Sequence, residues 1–320
     1  MTAWLQFGAG ILLLLFGAEV FVRGCIALAF RMKISATTIG LTVVALGTSL
    51  PELVIGLTDV SREGGGDVAV GGMVGSNFFN LGVVLAIAAI IHPVPVRNRT
   101  VVLEYPFMLA AALLLYGLVR LDGGGGLLDA LDGIVLLGGA AAFVLFLVVR
   151  AHRDRRAGVV SEDDGDVPPS RLNVPWIVAF IVAGPIILKI GGDFALEGAT
   201  ALARQWGWSE FTIGLTVVAF STSAPELFVS GVAALRKNAA VALGNVVGSN
   251  VFNLTLVLGS GALIHPIPVA AQVVSRDLPW MIGITLLVLP LMLGGRTIGR
   301  RDGFLLAATF GAYYTLVFMQ

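Results

Sequence analysis

Two short segments of this chain place a carboxylate where an apolar environment makes it costly. They are Thr48-Ser-Leu-Pro-Glu52 and Thr222-Ser-Ala-Pro-Glu226. Proline removes a helix hydrogen bond and clashes with the preceding turn. Each segment therefore predicts a helix break, with carbonyls freed around Ala45 to Gly47 and around Ala219 to Ser221. Thr48, Ser49, Thr222 and Ser223 add hydroxyls at the same two places. Two more segments, Ser76 to Asn80 and Ser249 to Asn253, set a serine and an asparagine four residues apart, on one helix face. Their simplest alternative role is hydrogen bonding between helices. Every donor in this set is an oxygen. Oxygen donors suit hard cations such as Ca²⁺ and Na⁺. Neither His nor Cys joins the motif, which argues against zinc or copper.

The elements that must carry these residues lie in a membrane. The chain is 57% hydrophobic and 12% charged, about half the charge of a soluble domain. Most of its surface must face lipid. Twenty basic residues balance twenty acidic ones, so the basic excess of a nucleic-acid binder is missing. The single cysteine, Cys25, excludes an internal disulfide and reads as a packing residue. The N-terminal apolar run has no basic start and is too long for a cleaved signal, so it reads as a true span.

A span takes roughly 20 apolar residues. Ten candidates follow, at about 4–29, 35–60, 68–92, 101–119, 127–149, 174–203, 210–235, 239–264, 277–294 and 303–319. The polar stretch from Arg150 to Arg171 reads as a solvated linker. The expected organisation is thus a first five-helix unit at 1–150, a linker at 151–172 and a second five-helix unit at 173–320. Fourteen Lys and Arg residues fall in the odd-numbered connections and linker, against Arg62, Arg120, Arg204 and Arg276 in the even ones. The positive-inside rule then puts the linker in the cytoplasm and both termini outside.

The two units repeat one another. Gly40-Leu-Thr-Val-Val-Ala45 recurs as Gly214-Leu-Thr-Val-Val-Ala219, and Val74-Gly-Ser-Asn-Phe-Phe-Asn80 as Val247-Gly-Ser-Asn-Val-Phe-Asn253. His92-Pro-Val-Pro-Val96 recurs as His265-Pro-Ile-Pro-Val269, with both histidines at span ends. Five spans per unit is odd, so the second unit enters the membrane from the opposite side. The expected fold class is therefore all-α integral membrane, with ten transmembrane helices as two inverted repeats and broken helices at the midplane. Secondary transporters use this plan, with the ion site between the repeats. Gly71, Gly72 and Gly75, with Gly244 and Gly248, are expected to allow close packing against the broken helices. Asn77, Asn245 and Asn250 are read as bracing residues. Glu19 with Arg23 and Lys189 with Asp193 are four apart and read as structural pairs within the spans.

The doubled Gly-x-x-x-Gly-Ser-x-x-x-Asn pattern, with its Thr-Ser-x-Pro-Glu partner, resembles the alpha repeats of the sodium/calcium exchanger family, within the cation/calcium antiporter group. The likeness covers essentially the whole chain. It implies alternating access and exchange of one Ca²⁺ against several Na⁺, with the first and sixth spans moving against the other eight. The expected location is the inner (plasma) membrane, with no cofactor; the partners are the transported ions and the lipid, and nothing in the sequence demands a dimer. Glu52 and Glu226 would be the shared Ca²⁺ and Na⁺ ligands, and Thr48 and Thr222 would contribute at the calcium position. Ser76 and Ser249, with the carbonyls of Ala45 and Ala219, would belong to flanking sodium positions. Asn80 and Asn253 would line the centre. Some relatives carry Asp where this chain has Asn253, including the potassium-dependent branch, so a potassium requirement is not expected. The rival readings are a proton/calcium exchanger and, more remotely, a cation channel. No Ser/His, Cys/His or metal-histidine constellation of an enzyme lies in the spans.

Overall fold

The computed structural model describes residues 2–61, 66–96, 100–121, 126–156, 170–209, 213, 217, 219–294 and 296–318. Within them the chain is almost entirely helical. In order come α1 (Ala3–Met32), α2 (Ala36–Thr48), α3 (Leu50–Val60), α4 (Ala69–Ile91) and α5 (Thr100–Arg120). There follow α6 (Ala130–Arg156), α7 (Val174–Gln205), α8 (Ala219–Thr222) and α9 (Ala224–Leu235). Last are α10 (Ala239–Ile264), α11 (Val273–Leu293) and α12 (Arg300–Phe318). Among the described residues, seven helices are long and apolar enough to cross a membrane, and the bent pair α2–α3 makes eight. Residues 210–212, 214–216 and 218 of the predicted 210–235 span lie outside the described residues, as does most of the linker.

Local sequence explains the helix ends. Ser35 caps α2 by accepting the Thr38 N–H at 3.0 Å, and Asn173 caps α7 by accepting the Trp176 N–H at 3.3 Å. Lys33, past the end of α1, takes the left-handed conformation that closes many helices. Cys25 is fully buried, as a packing residue should be.

Two short antiparallel ladders tie the halves together. Val94–Pro95 (β1) pairs with Thr297–Ile298 (β4), and Leu127–Leu128 (β2) pairs with Ile267–Pro268 (β3). Each joins a connection of the first half to one of the second. The two equivalent positions after the repeated His-Pro motif, β1 and β3, make the same kind of bond with the opposite half.

Helices α1 and α7 run antiparallel and in close contact. Gly10 lies against Ala195, Gly17 against Leu188, Gly24 against Phe180, and Gly198 against Phe7. The glycines recur every seven residues in both helices, at 10, 17 and 24 and at 184, 191 and 198. A seven-residue repeat keeps one seam facing its partner, and small residues at that seam let backbones approach. A Cβ on Gly17 would fall 2.9 Å from the Leu188 backbone nitrogen, and one on Gly191 would fall 2.8 Å from that of Leu14. Glu104, only 2% exposed on α5, pairs with Arg150 at the end of α6. Asp277, at the equivalent place on α11, accepts the Tyr313 hydroxyl of α12 at 2.9 Å.

Gly17→Leu and Gly191→Leu should each force the α1–α7 seam apart and cost about 1–3 kcal/mol, lowering the melting temperature in detergent by several degrees. Gly8→Leu, at a position with open space around it, should leave it unchanged. Equal melting of all three variants would show that the seam does not depend on these glycines.

Candidate functional site

Both helix breaks fall on one serine. Between α2 and α3 the axis bends by 42° at Ser49, whose backbone leaves the helical region at ψ 1°. Ser223 does the same between α8 and α9, at ψ 8°. Pro51 and Pro225 then sit in the first turn of the new helix, where a missing N–H costs nothing. Glu52 and Glu226 share that first turn, so each carboxylate lies at the positive end of a helix dipole. The C-terminal carbonyl end of α2, and that of α8, lies just before each break, and such an end attracts cations.

The breaks free different carbonyls from those expected on one side. Ala45 O still accepts the Ser49 N–H at 3.0 Å and lies 3.3 Å from the Thr48 hydroxyl, so this carbonyl keeps a helical partner. Pro51 and Pro225 have no N–H to offer the residues four before them, so Gly47 and Ser221 carry the carbonyls that lose their donors. Ala219 begins α8.

Helix α10 closes the site from the second half. It is buried almost throughout and crosses α2 backbone against backbone. A Cβ on Gly244 would fall 2.5 Å from Thr37 O, and one on Gly248 would fall 2.6 Å from Ala45 Cβ. The packing role expected of these two glycines holds. A Cβ on Gly71 would meet only Val273 Cγ2, at 3.9 Å, and one on Gly72 or Gly75 nothing within 4 Å, so among the described residues these three glycines make no close packing.

This close crossing brings the polar side chains together. The Thr48 hydroxyl is 3.1 Å from Asn245 Oδ1 and 3.3 Å from Ser249 Oγ. Its one proton is shared among Asn245 Oδ1, Ala45 O and Ser249 Oγ, and in the Thr48–Ser249 pair either hydroxyl can donate. Asn245 in turn donates to Ser230 Oγ at 3.0 Å. On the other side, Ser76 Oγ is 2.9 Å from Ser223 Oγ and accepts from Asn253 Nδ2 at 3.3 Å. Asn80 Nδ2 donates to Asn250 Oδ1 at 3.0 Å. Asn77 and Asn250 each donate to the other's backbone carbonyl, at 2.9 and 3.2 Å. Asn77, Asn245 and Asn250 are therefore the braces of the site, as their types suggested. Ser230 was missed: its counterpart at the repeat offset is Gly56, so the repeat gave no signal for it.

Against these satisfied groups stands a set of buried oxygens with no hydrogen-bond partner. It comprises both carboxylate oxygens of Glu52 and of Glu226, Ser49 Oγ, and the amide oxygens of Asn77, Asn80 and Asn253; away from the breaks, Glu104 Oε2 is left likewise. The two carboxyl groups are near enough to repel each other. Glu52 is 1% exposed, and Glu226, Asn80 and Asn253 are fully enclosed. A buried polar group left unpaired costs about 1–3 kcal/mol, and a charged one more. The amides of Asn80 and Asn253 spend their nitrogens on neighbours and keep their oxygens unspent. Two carboxylates, two amide oxygens and a hydroxyl fit a hard cation by type. Among the described residues, no cluster of three or more His, Cys, Asp or Glu could hold a resident metal.

A cavity of about 60 Å³ lies between α7 and the two breaks. Pro51, Gly192, Ser221, Thr222 and Pro225 line it, with Asp193 and Lys189 at its rim. Thr222 is half-buried on this wall rather than enclosed like Thr48. The Lys189–Asp193 pair, 2.6 Å apart, is about half exposed, and so is Arg23. These are not the buried charges the apolar flanks suggested. Glu19 pairs with Arg23, as its spacing implied, and also with Arg236 at the end of α9.

A family model described as sodium/calcium exchanger protein matches residues 2–149 and 176–319. The sodium/calcium exchanger MaX1 of Methanosarcina acetivorans is 28% identical over 97% of this chain and 96% of its own. The inner membrane protein YrbG of Escherichia coli is 34% identical over 87% of this chain and 85% of its own. A solved structure of the sodium-calcium exchanger NCX_Mj, soaked with zero Na⁺ and Ca²⁺, superposes with a TM-score of 0.79 at 28% identity, covering 98% of both chains.

Asn250→Ala would strip Asn80 Nδ2 of its acceptor and Asn77 O of its donor. Each orphaned group costs about 1–3 kcal/mol, so this variant should melt several degrees below the parent protein in detergent. An unchanged melting curve would show that the cross-bonds do not hold α4 and α10 together.

Proposed function

Because the chain belongs to the sodium/calcium exchanger family, we propose that it is a secondary antiporter that exchanges Ca²⁺ for Na⁺ by alternating access. The family is one of cation antiporters and not of enzymes, and the chain is a helical membrane protein. The observation that carries the finer reading is the set of buried oxygens without hydrogen-bond partners on Glu52, Glu226, Ser49, Asn77, Asn80 and Asn253. Glu52 and Glu226 bind both ions in turn. Thr48, Ser49 and Ser223 hold the breaks in place beside them, with Thr222 facing the access cavity. Ser76, Ser249 and the carbonyls of Ala45 and Ala219 flank the centre, and Asn80 and Asn253 supply neutral oxygens within it.

Charge explains why exchange is obligatory. One Ca²⁺, or two or more Na⁺, neutralises two carboxylates. With neither bound, two like charges stand in a medium of low dielectric, and their cost opposes crossing. Only the loaded site reorients cheaply. The cavity beside α7 is the access route on one side, and the α1–α7 pair is the unit that moves, its glycine seam keeping the two helices together as they shift.

The fuller architecture belongs to the same proposal: ten spans as two inverted repeats, at 1–150 and 173–320, with linker 151–172 in the cytoplasm, both termini outside and the inner membrane as location. The antiparallel course of the equivalent helices α1 and α7 supports it, as do the reciprocal ladders β1–β4 and β2–β3.

Proteoliposomes loaded with Na⁺ and diluted into Na⁺-free buffer should take up ⁴⁵Ca²⁺, and imposed K⁺ or H⁺ gradients alone should not drive uptake. Uptake that follows a proton gradient and ignores Na⁺ would instead make the protein a proton/calcium exchanger. Glu52→Gln and Glu226→Gln each remove one charge from a buried charged contact worth about 2–5 kcal/mol, so each should slow uptake about 30-fold or more. Near-normal uptake by either variant would exclude that carboxylate as a ligand.

A further inference from the structure

A second and larger cavity, of about 340 Å³, opens at the far end of α1 from the access cavity. Its walls come from the last turns of α1, the residues just before α7, the first turns of α7, and the turn between α9 and α10. Three arginines line it: Arg23, Arg171 and Arg236. Two of them share one carboxylate, Glu19, which accepts Arg236 Nε at 2.6 Å and also pairs with Arg23. Among the described residues, one negative charge thus stands beside three positive ones. The Asn238 amide is spent on the Arg236 carbonyl at 3.1 Å. The remaining wall is apolar, with Ile26, Ala27 and Phe180.

A cationic wall opposite an apolar one selects a particular kind of ligand. A free anion would satisfy the guanidiniums and leave the apolar wall wet. An amphiphile satisfies both. Arginine forks match phosphate oxygens two at a time, and basic pockets between transmembrane helices are suited to anionic headgroups. We propose that this cavity binds an anionic phospholipid, with the headgroup phosphate held by Arg23, Arg171 and Arg236 and the glyceride end lying on Ile26 and Phe180. The site joins α1 and α7 to the α9–α10 turn. The bound lipid therefore favours the conformation in which these elements are adjacent, the one described above, and shifts the exchange cycle toward it.

Binding is read without transport, so the outcome stands apart from the ion chemistry. The full-length protein in mild detergent is incubated with matched phosphatidylglycerol or phosphatidylcholine, and retained lipid is counted by native mass spectrometry. The parent protein should retain phosphatidylglycerol in preference to phosphatidylcholine. Arg171→Gln leaves the Glu19 network intact and should cut phosphatidylglycerol retention about fivefold with an unchanged melting temperature. Arg171→Lys should restore much of it. Millimolar inorganic phosphate should not displace the lipid. Equal retention by the parent and Arg171→Gln proteins would overturn the proposal. So would no preference between the two lipids. Displacement by inorganic phosphate would assign the cavity to a free anion and overturn it equally.

Discussion

Two carboxylates that find no hydrogen bond inside an apolar protein set the terms for the rest of this structure. Glu52 and Glu226 are enclosed, close together and unsatisfied. A bilayer charges several kcal/mol for each such group by insertion scales, about 2.5–3.5 for an acidic residue at a helix centre. The surrounding construction makes sense as a way to hold them there. The helix breaks at Ser49 and Ser223 set each carboxylate on a helix N-terminus, where the dipole offsets part of its charge. The backbone contact between α2 and α10, possible because Gly244 and Gly248 have no side chain, brings hydroxyls and amides from the opposite half into reach. Hydrogen bonds then commit the amide nitrogens of Asn80 and Asn253 to partners other than the carboxylates.

That last step is what the proposed ion site requires and a buried ion pair would not. Had Asn80 or Asn253 turned its amide nitrogen toward a glutamate, the charge would be solvated internally and a cation would have to compete for it. Instead the Asn80 nitrogen is bound by Asn250, and the Asn253 nitrogen by Ser76. Asn77 and Asn250 lock the backbones behind them. The second half adds a chain with no counterpart in the first, from Ser230 through Asn245 to Thr48. At the matching offsets the first half has Gly56 and Gly72. The repeat is therefore not a mirror at the level of side chains, and the two carboxylates sit in unlike surroundings.

Much of this was legible because membranes make sequence unusually informative. A glutamate next to proline in an apolar run is rare for energetic reasons, and its recurrence 174 residues later pointed to one shared centre. The Ser-x-x-x-Asn pairs followed from helix geometry. Other features were hidden for physical reasons. Ala45 O was expected to be free, but the break falls at Ser49, one turn after the residue whose donor it keeps. The wide π-helical turns at Asn80–Val84 and Asn253–Val257 start on the central asparagines, and no residue type announces them. Glu104 was overlooked because its partner, Arg150, lies 46 residues away. Lys189, Asp193 and Arg23 were read as buried from their apolar neighbours, yet each is about half exposed, beside a cavity.

The neutral oxygens bear on which ion drives the cycle. A proton needs one lone pair and, once bound, turns a carboxylate into a donor that seeks an acceptor. A pair of glutamates already provides both and needs no further oxygens. A sodium ion gains nothing from a lone carboxylate beyond what water offers, because it must replace a full hydration shell. It requires several oxygens at fixed positions, most of them uncharged so that one positive charge is not over-neutralised. Ser49 Oγ, Asn80 Oδ1 and Asn253 Oδ1, held without partners at considerable cost in desolvation, are of that kind. A proton-coupled site would not need them, and the sodium coupling proposed above would use them. Asparagine at position 253 fits the same logic: a third carboxylate would add charge that one Ca²⁺ does not need, whereas an amide adds an oxygen and leaves the site at minus two.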